Sequence, residues 1–139
     1  MTYKFPSETW TQEFRNAVNA NEKYREAGAA WTYGSVALVI EKDPAHGIEE
    51  DVGMILDVHQ GTCRDTKYIE GREAAEQASF VIVGSYDRWK QVIQKELEPI
   101  KGMMQGKLKL TKGHLPTMIR FVDASRELVE SATRVPTEF

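Results

Sequence analysis

An α+β fold, with five largely antiparallel strands covered on one face by helices, is what this 139-residue sequence predicts. Three observations lead there. Apolar residues recur at helical spacing near both ends of the chain. Between Gly34 and Gly84, four short β-rich runs follow one another across connections of a few residues. A further run, Lys107 to Thr111, alternates lysine with leucine, the period of a strand with one wet side.

Taken in order, Ser7 can cap a helix whose stripe runs through Trp10, Phe14, Ala17, Val18, Asn21 and Tyr24, and Gly28 marks its stop. The polar Asn21 weakens that stripe. Ser35 to Lys42 holds the run VALVI, and DPAHG (Asp43 to Gly47) is a turn cluster. Asp51 to His59 alternates, with Val52, Met54, Leu56 and Val58 on one face and Gly53, Ile55, Asp57 and His59 on the other. Gly61 closes a tight connection, Thr62 to Ile69 alternates with more polar residues, and Ala78 to Gly84 is a fourth strand. Connections this short suit an antiparallel meander, because parallel neighbours need a long crossover.

Ser85 then caps a helix with Asp87 in its first turn and a stripe of Tyr86, Trp89, Val92, Ile93 and Leu97. Glu98-Pro99 opens a short helix bearing Ile100, Met103 and Met104, and Gly106 ends it. In the fifth strand Leu108 and Leu110 point inward and the lysines outward. Leu115-Pro116 opens a long final helix. Its face runs through Leu115, Met118, Ile119, Val122, Ser125, Val129 and Ala132, with Phe121 and Leu128 widening it. Pro136 bars continuation.

Composition narrows the function. The chain is 41% apolar and 28% charged, the profile of a soluble globular protein read as one domain over residues 1–139. A net charge of −3 argues against a nucleic-acid partner held by broad phosphate neutralisation. The single cysteine, Cys63, excludes an internal disulfide and points to a reducing compartment. No apolar run is long enough to span a bilayer, so the expected location is the cytoplasm.

Signals for bond chemistry are poor. Asp57 and His59 share a strand face with Cys63 just past the turn, a spacing without the second cluster a metal site needs. As a nucleophile pair, Cys63 and His59 lack an orienting acid. A solvated sheet face explains them, and His46 and His114 read as surface residues. The expectation is no catalytic residue, no metal, no cofactor and no enzyme. Lys101, Lys107, Lys109 and Lys112, followed by Arg120, read first as outward charges that discourage edge pairing. Their second reading is weak, transient attraction to an anionic membrane surface.

The apolar inventory between Phe80 and Val122 is more informative. Three of the five methionines lie there, and methionine adapts to irregular space. Periodicity does not separate a filled core from one with a tunnel through it.

The segment Ala78 to Phe121 resembles the sterol carrier protein type-2 family. A strand leads into Ser85-Tyr86-Asp87-Arg88-Trp89, then the proline-started Pro99-Ile100-Lys101, the pair Met103-Met104, and Gln105-Gly106-Lys107-Leu108-Lys109 before a final helix. Leu56-Asp57-Val58-His59-Gln60-Gly61 resembles the family's earlier strand and turn, and the likeness covers roughly residues 34 to 125. It departs at Lys112-Gly113-His114, in the long charged final helix, and at Thr137-Glu138-Phe139, which is no peroxisomal tripeptide.

The resemblance implies an apolar tunnel between helices and sheet that binds a sterol, fatty acid, acyl-CoA or other lipid. The residues expected to line it are Phe80, Ile82, Trp89, Val92, Ile93, Ile100, Met103, Met104, Leu108, Leu110, Leu115, Met118, Ile119 and Val122. Met103 and Met104 would form the wall beside the fifth strand, with Leu108 and Leu110 the floor. The alternative is an accessory module, a possible homodimer, that supports a partner enzyme and carries no ligand.

Overall fold

Alternation along β3 (Val52–His59) orients the sheet: Val52, Met54, Leu56 and Val58 are buried, while Ile55, Asp57 and His59 are half-exposed on the other side. The computed structural model describes residues Met1–Phe139. β3 lies between β2 (Val36–Ile40) and β4 (Thr62–Glu70), antiparallel to both. β5 (Phe80–Gly84) pairs with the other side of β2, and β6 (Lys109–Lys112) adds an antiparallel edge beyond it. The order is β4-β3-β2-β5-β6, a largely antiparallel five-stranded sheet as expected.

The meander does not hold at the fourth strand. β5 runs parallel to β2, Val36 opposite Phe80 and Ile40 opposite Gly84. Residues 71–79 make this possible by carrying α3 (Arg72–Ala75) across the second face of the sheet. Ala75 and Ala78 are small enough to lie flat against Ala37, Val39, Val81 and Val83, and all six are buried. One short helix therefore covers the face that the sequence reading left bare.

Six helices pack on the first face. They are α1 (Glu8–Asn19), α2 (Glu22–Ala27), α4 (Tyr86–Ile93), α5 (Pro99–Met104), α6 (Leu115–Arg120) and α7 (Val122–Thr133). Two expected long helices are each broken. Asn21 interrupts the first because its side chain accepts from the Lys23 and Tyr24 amides and begins α2 as an N-cap. Phe121 interrupts the last, with φ −107° and ψ 32° separating α6 from α7. A ribbon that periodicity did not disclose joins the ends: β1 (Tyr3–Lys4) runs parallel to β7 (Thr137–Glu138), and Trp10 Nε1 donates to Thr137 Oγ1 at 2.9 Å.

Candidate functional site

Leu38 sits in the central strand, on the face beneath six helices, yet it is only half-buried while its neighbours Val36 and Ile40 are buried. What withholds contact from Leu38 is a cavity of about 110 Å³ between helices and sheet. Its floor is Val36, Leu38 and Ile40 of β2, Met54, Leu56 and Val58 of β3, and Ile82 of β5. Phe5, Trp10, Phe14, Tyr24 and Trp31 wall one side, and Trp89, Val92, Ile93, Pro99 and Met103 the other. Met118 of α6 and Phe121, Ala124, Ser125, Leu128, Val129 and Ala132 from the start of α7 onward complete the enclosure as a roof.

The lining is kept apolar by local hydrogen bonding. All three tryptophans of the chain line the cavity, and each indole N–H is satisfied elsewhere. Trp10 donates to Thr137 Oγ1, Trp31 to the Gly34 carbonyl at 2.9 Å, and Trp89 to the Val39 carbonyl at 2.8 Å. Tyr24 and Ser125 are the only lining residues that carry a hydroxyl group. Charge is disfavoured close by: burial raises the Tyr24 phenol, and burial pushes the Cys63 thiol up to about 11 despite the opposing pull of Arg15.

The enclosure is not equally pinned all round. Ser7, Asn21, Ser85 and Glu98 cap α1, α2, α4 and α5 through side-chain hydrogen bonds. Neither His114 before α6 nor Phe121 before α7 does so. Met118, Phe121, Ser125, Leu128 and Val129 are half-buried where walls such as Trp10, Phe14 and Trp89 are buried. At the Phe121 break, the Phe121 and Trp31 rings meet edge to face at 5.0 Å, and Tyr33 joins them at 5.7 and 5.3 Å. Arg120 lies over the Tyr33 ring, and its Nη2 donates to the phenol at 3.0 Å.

Volume limits what fits without movement. An engineered cavity of roughly 150 Å³ takes one benzene, so about 110 Å³ holds a short stretch of hydrocarbon. A longer chain needs room beyond this void.

Of the residues expected from the sequence, Ile82, Trp89, Val92, Ile93, Met103 and Met118 border this cavity. Phe80, Ile100 and Leu108 are buried in the surrounding core, with Leu108 wedged against Gly84 and Gly102. Leu110, Leu115 and Val122 are half-buried off the lining, Ile119 is exposed, and Met104 is 65% exposed. The aromatic wall from α1 and α2 and the β2–β3 floor were not in the expected set. Their signals were present, as the Trp10-Phe14-Tyr24 stripe and the alternation of residues 52–58.

Asp57, His59 and Cys63 do not converge. Asp57 and His59 are on the second face of the sheet, where Arg64 Nη2 donates to Asp57 Oδ1 at 2.9 Å. Cys63 is opposite Val58 and buried in the main core. No group of three or more His, Cys, Asp or Glu side chains is placed to hold a metal ion, and no helix is long and apolar enough to cross a membrane.

Comparison with known proteins agrees with this architecture. The SCP-2 sterol transfer family matches residues 14–120. A crystal structure of sterol carrier protein 2 superposes with a TM-score of 0.86 at 36% identity, covering 93% of this chain and 97% of that one. The solution structure of a conserved hypothetical protein from Thermus thermophilus, described as possibly a sterol carrier protein, gives 0.86 at 35% identity, covering 95% and 90%. Apo sterol carrier protein 2 from Yarrowia lipolytica, at 16% identity and a TM-score of 0.58 over 94% of both chains, shares the fold. No curated protein matches.

Proposed function

The chain belongs to the SCP-2 sterol transfer family, and from that premise we propose that it binds and carries a hydrophobic molecule in the cavity beneath α6 and α7, without bond chemistry. The observation that carries this reading is Leu38, half-buried in the central strand although Val36, Ile40, Met54 and Ile82 around it are buried. A core packed to ordinary density leaves no such gap. The lining offers no directional contacts beyond two hydroxyls, so affinity comes from burial, about 0.8 kcal/mol for each methylene removed from water.

A flexible acyl chain suits this site better than a fused ring system. A chain can thread segment by segment while the roof gives way locally, whereas rigid rings demand their whole volume at once. Fatty acids and acyl-bearing lipids are therefore favoured over sterols as cargo.

Native mass spectrometry of freshly purified protein, followed by extraction and identification of anything bound, tests the reading. Co-purified acyl lipid supports it. An apo mass that takes up no fluorescent fatty acid favours a solidly packed accessory module, the alternative in which the fold supports a partner enzyme.

A further inference from the structure

Partial exposure among the lining residues is concentrated on α6 and α7. Leu38 apart, the half-buried members are Met118, Phe121, Ser125, Leu128 and Val129, in those helices or at the break between them. At that break Trp31 and Phe121, which line the void, both pack edge to face on Tyr33, and Tyr33 is 42% exposed. Arg120 lies beyond, its Cζ 5.4 Å from the centre of the Tyr33 ring. From void to water the order is thus Trp31 and Phe121, then Tyr33, then the guanidinium.

The charges on α6 and α7 are matched, with one exception. Asp123 pairs with Arg126 at 3.6 Å, Glu130 with Lys95 at 2.7 Å, and Glu127 Oε1 accepts from Asn21 Nδ2 at 3.2 Å. Arg120 forms no ion pair. Its side chain makes one hydrogen bond within the protein, from Nη2 to the Tyr33 oxygen at 3.0 Å. Because that oxygen accepts, the phenol keeps its own hydrogen to donate elsewhere, and no group of the protein takes it. A cation at the C-terminal end of α6 suits the helix dipole, but an arginine extended into water would serve that purpose equally. Stacking on Tyr33 holds the guanidinium beside the outer wall of the cavity instead.

We propose that Arg120 and Tyr33 hold the carboxylate of a fatty acid whose tail enters the cavity, and that they select acids over alcohols and sterols. This rests on the carrier reading and adds to it the polar end of the cargo. No charged side chain lines the void, so a carboxylate that followed its tail inside would be buried without a partner. It stays at the rim. There the guanidinium fork presents two parallel N–H groups to the two carboxylate oxygens, and the phenol O–H supplies a third donor. A hydroxyl head group has neither the charge nor the second oxygen.

Quenching of tryptophan fluorescence by a stearate bearing bromine in mid-chain, and by the alcohol of the same chain, tests the proposal. The wild type should bind the acid about tenfold more tightly, as one charge-assisted contact warrants. Arg120→Gln should remove most of that preference by weakening the acid alone. Arg120→Lys keeps the charge without the fork and should retain part of it, and Tyr33→Phe should reduce it less than Arg120→Gln does. Lys107→Gln, which removes another exposed and unpaired cation, should change neither affinity. Damage to the fold would weaken both probes together and leave their ratio unmoved.

Equal affinity of the wild type for acid and alcohol, a full preference in Arg120→Gln, or the same loss in Lys107→Gln overturns the proposal. In each of those cases quenching still shows the cavity occupied, and the carrier reading stands. Absence of quenching by either probe sinks the carrier reading, and the proposal with it.

Discussion

Asn21 Nδ2 donates to Ser131 Oγ at 3.0 Å, joining the start of α2 to the C-terminal half of α7. Both residues are buried. Through Oδ1 the same side chain accepts from the Lys23 and Tyr24 amides, so a single asparagine begins one helix and anchors another. Asn21→Ala removes a cap and leaves buried polar groups short of partners, for an expected loss of about 2–3 kcal/mol. Asn21→Asp keeps the cap but sets a buried carboxylate against the Glu127 side chain and carbonyl, each 3.2 Å from Nδ2, and should lose more. Urea unfolding compares them, and a smaller loss in Asn21→Asp would refute the importance of the Nδ2 contacts to α7.

Gly53 lies opposite Val39, and a methyl group added there would meet the Leu38 carbonyl of the paired strand. That obstacle is backbone at the middle of the sheet and cannot rotate away. Gly53→Ala should separate β2 from β3 and cost more than the roughly 1–3 kcal/mol of ordinary overpacking. Thermal unfolding checks it. A near-native midpoint would mean the strands approach less closely than described.

Cys63 gives the stability a dependence on alkaline pH. Burial, the largest cause, raises its folded pKa from 9.0 to about 11. Below pH 9 the thiol is neutral in both states and contributes no slope. As pH rises from 9 toward 11 the unfolded chain releases a proton that the folded one retains, so stability falls, by about 2–3 kcal/mol in all. The Tyr24 phenol, also raised by burial, extends the trend to higher pH. Cys63→Ala should flatten the decline between pH 9 and 11 in urea titrations. An unchanged slope in that variant would assign the effect to other groups.

Leu38 and Met104 separate the cavity from its outer surface. Leu38→Phe pushes a ring into the void, so uptake of a fluorescent fatty acid should fall tenfold or more. Stability should stay within about 1.5 kcal/mol, because the added volume fills space instead of displacing neighbours. Met104→Lys, on an exposed side chain off the lining, should leave uptake unchanged. Fluorescence titration of both variants decides, and the reverse pattern would relocate the binding surface.

Strand faces were legible because alternation leaves little choice about which residues point inward: Met54, Leu56 and Val58 could be read directly. Topology was less so. Residues 71–79 look like a short polar connection, and only the small Ala75 and Ala78 hint that they can lie flat on a sheet and cross it. Phe121 gives no sign of breaking a helix, since its side chain is equally at home inside one. Asn21 did give a sign, as the polar member of an apolar stripe. Adjacent positions on a helix differ by about 100° in direction, so Met103 and Met104 could not share a face. One is in the lining and the other is exposed. Whether inward residues touch one another or leave a gap is a matter of volume, and periodicity carries no information on volume.

Because Trp10, Trp31 and Trp89 all border the cavity and are the only tryptophans in the chain, intrinsic fluorescence reports directly on its occupancy. Titration with a stearate bearing bromine in mid-chain, a quencher that acts on contact, should give strong, saturable quenching with one molecule bound per chain. Leu38→Phe should abolish it. Fluorescence that stays unquenched in the folded protein at saturating brominated stearate would contradict the account.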